Sequence, residues 1–284
     1  MSSEDVDAQR AESLERWERS APGWGKRATR LRPAFMAVSA AMIDALSLQA
    51  GQRLLELAAG PGDVGFLAAE LIAPGGTLIC SDGADAMLEV ARARAGELGI
   101  DNVEFVRLEL EWIDLPTASV DSVLCRFGIM LIVDPPAAAQ EIRRVVRPGG
   151  RVALAVWDVG EANPWATIPG RALVDLGHAK PPDRDGPGMF RLAAPGALAQ
   201  LLETAGFADV HVQTVPLDRS YTDLDAYLEE TRDLSSIFRE GIDQLTDSQC
   251  SAVRGQIAEL TGSYTQNDGS LRLPGSALVA GAGA

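Results

Sequence analysis

The stretch Leu54-Leu55-Glu56-Leu57-Ala58-Ala59-Gly60-Pro61-Gly62-Asp63-Val64-Gly65 decides the fold of this chain. A short apolar run, Arg53 to Leu57, leads straight into glycines, and a helical pattern follows from Val64 to Ile72. Glycines at 60 and 62 let the backbone turn sharply and approach a ligand closely. The helix start beyond them presents N–H groups with no partner inside the helix, which suits an anion or a polar head. Gly60-x-Gly62-x-x-Gly65 in a strand–turn–helix setting also fits the dinucleotide fingerprint, so this segment alone does not choose the ligand.

Downstream, the same unit repeats. The patterning predicts strands at Thr77–Cys80, Val103–Val106, Val120–Cys125 and Arg151–Trp157, with helices at Ala84–Leu98 and Ala137–Val146 between them. Pro74-Gly75-Gly76, Gly99 and Pro148-Gly149-Gly150 punctuate the units. Strands alternating with helices imply right-handed crossovers and a parallel sheet covered on both faces. The expected class is therefore α/β, with a Rossmann-like seven-stranded sheet, mostly parallel, whose last strand is antiparallel.

Upstream, a polar helical pattern spans Val6 to Ser20, Ala21-Pro22-Gly23 reads as a turn between Trp17 and Trp24, and a second helix covers Ala34 to Leu48. The later half reads as an irregular Pro/Gly-rich stretch at Asp158–Pro195, a helix at Gly196–Ala205 and a strand at Asp209–Val215. It closes with one helix over Asp223–Arg239, another around Val253–Leu260 and a last strand at Ser270–Ala280. Residues 1–50 are expected to form a helical segment over the ligand site. Residues 51–284 are expected to form one domain, with helical and loop cap insertions at about 158–195 and 218–268.

Composition narrows the partners. The 284 residues carry a formal net charge of −15 and only two lysines, Lys26 and Lys180. Such a balance argues against a phosphate backbone or an anionic membrane surface. The apolar runs fall short of the ~18 residues of a membrane span, and Met1 to Arg10 lacks the pattern of a secretory signal, so a cytoplasmic setting is expected. Cys80, Cys125 and Cys250 are odd in number and widely spaced, which fits buried thiols; no metal site is expected.

Two carboxylates bear on the ligand. Glu56 lies four residues before Gly60, at the strand end, and would repel a pyrophosphate but favour an ammonium and a sulfonium, as in S-adenosylmethionine. Asp82 ends the second strand, where it can accept from both hydroxyls of a ribose. Further along, five ordered segments resemble the class I methyltransferases, and more narrowly their ubiquinone/menaquinone-biosynthesis-like small-molecule branch. Glu56–Gly62 is similar to the acidic-x-G-x-G-x-G loop, and Ser81–Leu88 to D-x-S-x-x-M-L. Arg107–Pro116 is similar to G-D-A-E-x-L-P, Ser119–Val123 to S-F-D-x-V, and Glu141–Arg151 to R-V-L-x-P-G-G-R.

The resemblance implies transfer of a methyl group from S-adenosylmethionine to an O, N or C nucleophile of a small molecule, leaving S-adenosylhomocysteine. It implies that Gly60 and Gly62 meet the methionine part through backbone, with Glu56 near its amino group. Asp82 would hold the ribose, Gly83 and Met87 would pack by the adenosine, Glu109 would accept from the adenine amino group and Leu110 would offer its N–H to the ring. Trp24 would lie near the cofactor carboxylate, and Arg126 would meet that carboxylate or an anionic substrate, or else form an ordinary ion pair.

Departures from the pattern matter too. Ala58 replaces the first glycine, which is tolerable if no positive φ is needed there. Phe127-Gly128-Ile129 matches the quinone C-methyltransferases, but Met130-Leu131 replaces a polar pair and puts a quinone ring in question. No catalytic residue is assigned. His178 in the insertion is a candidate base, against the plainer reading of an exposed loop histidine, and His211 in a strand reads as structural. Asn163-Pro164-Trp165 reads as a turn plus an anchoring aromatic, and Met189 and Phe190 as possible pocket lining. The rival readings are a nicotinamide- or flavin-dependent oxidoreductase, or a relative that binds S-adenosylmethionine and does other chemistry.

Overall fold

The elements follow from where apolar residues can be buried on both faces. Strand β1 (Arg53–Leu57) is buried from Leu54 to Leu57, as expected for the middle of a sheet covered on two sides. A computed structural model describes residues 3–181 and 186–284. In chain order its helices and strands are α1 (Ser3–Ala34), α2 (Met36–Leu46), β1, α3 (Asp63–Ile72), β2 (Thr77–Asp82), α4 (Asp85–Leu98), β3 (Val103–Arg107), β4 (Val120–Arg126), α5 (Pro135–Val145) and β5 (Val146–Trp157). After these come α6 (Pro164–Asp175), α7 (Ala197–Thr204), β6 (Ala208–Tyr221), α8 (Leu224–Leu234), α9 (Ser236–Asp243), α10 (Asp247–Leu260) and β7 (Leu271–Gly283).

The strands form one seven-stranded sheet in the order β3-β2-β1-β4-β5-β7-β6. β1 to β5 run parallel, and β7 runs antiparallel to both β5 and β6. The expected class stands. The chain leaves β1 toward β2 and β3, then crosses back to β4 on the other side of β1. That reversal opens a crevice beyond the carboxyl ends of β1 and β4. Register brings Leu57 opposite Cys125 and Glu56 opposite Leu124, so the glycine loop and the segment after Arg126 face each other across the crevice.

The main core fills the space between sheet and helices, with Leu55, Ile79, Val123, Leu154 and Phe66 among its buried members. A second core lies among α6, α8, α9, α10 and the outer ends of β6 and β7, built from Leu173, Tyr221, Tyr227, Phe238, Ile257 and Leu273. It is separate from the main core.

The structure corrects several expectations. Ala21-Pro22-Gly23 is no turn: α1 runs through Pro22 to Ala34. A proline inside a helix forfeits one hydrogen bond and normally costs ~3 kcal/mol. Here Ala21 is fully buried against Ala84 and Met87, and that packing outweighs the loss. The stretch 158–195, read as irregular, contains α6, which starts on Pro164 where a proline's missing N–H is harmless; residues 182–185 of it lie outside the described residues. The single helix read over 223–239 is two, because Ser235 leaves the helical conformation and its side chain caps α9 by accepting from Phe238 N. β6 runs on to Tyr221, six residues past the expected end at Val215.

Candidate functional site

The glycine loop is held from both sides by carboxylates. Glu56 is 2% exposed and its Oε1 accepts from Gly65 N–H at 2.9 Å, which ties the end of β1 to the first turn of α3. Its Oε2 is buried with no partner. Burial pushes the Glu56 carboxyl up to about 8, against the pull of the Gly65 N–H and Arg126. Asp82 accepts from Gly60 N–H at 2.9 Å through Oδ2 and from Ala84 N–H at 3.0 Å through Oδ1. Burial raises the Asp82 pKa too, and the N–H groups of Ala84, Gly60 and Gly83 oppose it. Each Asp82 oxygen keeps a second lone pair for a further donor.

Gly62 (φ +81°) is the N-cap of α3, and a Cβ on it would lie 2.4 Å from the Phe66 ring. Gly60 (φ +53°) is different: a Cβ there would meet nothing within 4 Å. At Gly83 the nearest atoms to such a Cβ, Leu108 O and Leu14 Cδ1, are 3.9 Å away. There is open space over Gly60, whose N–H is held by Asp82, while Gly83 is in ordinary contact with its neighbours.

Ala58 corrects the reading of the loop. It sits at φ +49°, so the position does need a positive φ, and a non-glycine residue there stores ~1–2 kcal/mol. Phe127, across the crevice, is also left-handed at φ +62°. A Cβ on Gly128 would come within 2.5 Å of Ala58 Cβ, so the two strained turns pack directly on each other. Strain of this kind gathers where a fold must present backbone to a ligand.

The other expected residues fall as follows. Met87 is 2% exposed and packs beneath Ala21 and Ala84. Trp24, on α1, packs against the same group with its ring 6.2 Å from Trp17, and its Nε1 is buried without a partner. Leu110 is buried, while Glu109 is exposed at the rim. Arg126 is an ion-pair arginine: Nη1 donates to Ser39 Oγ at 3.0 Å, and Nη2 lies 3.6 Å from Asp63, which Arg94 also engages at 2.8 Å. Burial lowers the Arg126 pKa, and Asp63 and Glu56 counteract this.

His178 is not brought to this crevice by any contact; it follows the C-terminal end of α6, where its backbone N–H closes on Leu173 O. His211 pairs with Gly281 in the sheet. Asn163 is fully buried and its amide is spent on structure: Nδ2 donates to Asp158, Val159 and Ser276 carbonyls, and Oδ1 accepts from Ser276 N–H and Trp165 Nε1.

Sequence reasoning missed several residues around the crevice. Glu18 accepts from Asp85 and Ala86 N–H groups and so fastens α1 to the start of α4. Beyond β4 and β5, Phe127 stacks on Trp157 at 3.9 Å and 8°, and Phe35 and Trp165 meet Trp157 edge-on at 5.7 and 5.0 Å. Arg219 and Glu230 form a buried ion pair beside this group. One signal was readable: Val215, Leu217, Arg219 and Tyr221 share the inward face of β6, and a charge at an inward strand position is rare.

Comparison with known proteins matches this architecture. Residues 38–159 match the model of the ubiE/COQ5 methyltransferase family. Over this stretch the chain is similar to the methyltransferases of that family. Nocamycin O-methyltransferase of Saccharothrix syringae is 32% identical over 187 residues, covering 62% of this chain and 66% of that protein. A ubiquinone/menaquinone biosynthesis C-methyltransferase of Hahella chejuensis is 36% identical over 113 residues, covering 39% of this chain and 45% of the other. This chain thus spans just under two thirds of the first relative and under half of the second. The solved structure of the YcgJ protein from Bacillus subtilis shares the fold, with a TM-score of 0.57 at 19% identity over 86% of this chain and 97% of the other.

Proposed function

We propose that this chain is a class I methyltransferase that binds S-adenosylmethionine in the crevice beyond β1 and β4 and methylates a small-molecule acceptor. The observation that carries the reading is the open space over Gly60, bordered by the buried carboxylate of Glu56 and the half-buried one of Asp82. S-adenosylmethionine, when bound, supplies a methyl group on a sulfonium, a neutral leaving group once the methyl has gone.

The residues present fit that cofactor. Asp82 has two free lone pairs for the ribose hydroxyls. Glu56 Oε2 is an unpartnered acceptor at the level of the amino group. Gly60 and Gly62 shape the loop for the methionine part. Gly83, Met87 and Leu110 border the adenosine, with Glu109 at the rim for its amino group. Trp24 and Arg126 are assigned to the cofactor's carboxylate side, Arg126 acting through Asp63 and Ser39. The acceptor side is the aromatic group beyond β4 and β5. Most of the acceleration comes from holding acceptor and methyl in line and excluding water.

Residues 1–50 act as a cover over this crevice. Residues 51–284 form the catalytic domain, with parts of the cap at about 158–195 and 218–268 over the acceptor. The acidic surface and the lack of any described helix long and apolar enough to cross a membrane support a cytoplasmic setting with small-molecule partners, without nucleic acid or membrane. Calorimetric titration with S-adenosylhomocysteine and with NAD tests the cofactor. Micromolar binding of the first and none of the second is expected; the reverse removes the proposal. Turnover with a labelled methyl donor and a panel of acceptors then tests the reaction.

A further inference from the structure

One buried cation has no part in the assignments above. Arg219 lies on the inward face of β6 at 3% exposure, where an unpaired guanidinium would cost several kcal/mol. Its Nη2 donates to Glu230 and to the Tyr221 hydroxyl. Its Nη1 is buried and has no partner at all. The rings of Phe35 and Trp165 each lie 4.9 Å from its Cζ, which fixes the plane of the guanidinium and offers cation–π attraction but no acceptor for the free N–H groups.

The charge around it does not balance. Glu230 is shared, because Arg30 Nε also donates to it at 2.7 Å, so two guanidiniums face one buried carboxylate. Arg126 also lies 5.4 Å from the Phe35 ring, with Asp63 and Glu56 opposing its charge. Arg219 and Arg126 thus both lie against the Phe35 ring. The same Phe35 packs on Phe127 and Trp157, which stand where β4 and β5 end.

We propose that Arg219 Nη1, beside the aromatic group of Phe35, Trp157 and Trp165, binds the acceptor through an anionic oxygen. This rests on the methyltransferase reading for the name acceptor, but the recognition itself does not. An oxygen that arrives ionised needs no protein base at the moment of transfer. Its electron pair forms the O–CH3 bond, the S–CH3 pair stays on sulfur, and the two charges cancel with no proton moved. That accords with a crevice to which neither histidine is drawn.

The test is calorimetry on the full chain at pH 7.5, saturated with S-adenosylhomocysteine. The probes are 2,4-dinitrophenolate and its neutral methyl ether, then 4-nitrobenzoate and its methyl ester. The anion of at least one pair is expected to bind ten times or more tighter than its neutral partner, and which pair responds separates a phenolate or enolate handle from a carboxylate one. Arg219→Gln with Glu230→Gln, which removes the buried pair together, should abolish the preference and leave S-adenosylhomocysteine affinity unchanged. Arg219→Lys, which keeps the charge, should retain part of it. Neutral probes that bind as well as the anions, or a preference that survives in the double Gln variant, overturn the proposal. Failure of S-adenosylhomocysteine to bind the wild type, with the anion preference intact on the free protein, removes the cofactor reading instead.

Discussion

Glu56→Gln offers a sharp test of how the loop is built. The carboxyl is buried against Gly65, and its pKa of about 8 stands well above its ordinary 4.5. A folded-state pKa raised above the unfolded one gives stability that is fully present below about 4.5 and lost as pH rises through about 8. Working the linkage with those two values, the wild type loses about 2 kcal/mol of this contribution between pH 6 and pH 8. Gln keeps the acceptor for Gly65 N–H and carries no proton to lose. The variant should therefore gain on the wild type by about 2 kcal/mol, or about 3 °C in Tm, as pH rises across that window. Parallel Tm curves for the two proteins from pH 6 to 8 would refute the reasoning. A cation placed beside Glu56 reverses the shift. S-adenosylhomocysteine should then bind the wild type more tightly as pH rises toward 8, by up to about tenfold per unit, with release of a proton. In the Gln variant that slope should vanish, which calorimetry in buffers of different ionisation enthalpy can read.

Other outcomes follow from single contacts. Asp82→Ala removes an acceptor for two hydroxyls and frees the Gly60 and Ala84 N–H groups, and should weaken S-adenosylhomocysteine by about 10- to 100-fold in calorimetry; an unchanged affinity removes the ribose assignment. Gly62→Ala meets both a left-handed φ and the Phe66 ring, so urea unfolding should show a loss of about 2–4 kcal/mol, and a cost under about 1 kcal/mol would mean the loop yields freely. His178→Ala should change kcat less than about twofold from pH 6 to 9, whereas a loss near the ~100-fold expected for a general base would restore that role.

The parallel half of the sheet was legible because each of its units carries its own punctuation. Arg53–Leu57 ends on glycines and is β1 to the residue, and the strand reversal at β4 needs only the order of units. What the pattern hid was decided by tertiary packing. Pro22 reads as a break until Ala84 and Met87 are seen beneath Ala21. Pro164 and Pro169 made α6 look like loop, although Ile168, Ala172 and Leu173 have helical spacing and enter the second core. At the site, Glu56, Asp82 and the glycines stand together where their spacing put them. Ala58 shows the limit: no local rule states that an alanine must turn left-handed, and its close neighbour Gly128 comes from the far side of the crevice. The acceptor side was harder still, because Phe35, Phe127, Trp157 and Arg219 come from four distant segments and meet only in three dimensions.

Helix α1 has anchors at two remote places. Through Glu18 it grips the start of α4, beside the end of β2. Through Lys26, Arg27 and Arg30 it is bound to Asp233 and Glu230 of α8. A rigid rod fixed at both ends cannot lift over one without tugging the other. On the proposed reading nucleoside and acceptor would share a single door, and the kinetic signature of a shared door is an obligatory sequence of arrival and departure, with salt loosening the hinge on the α8 side first.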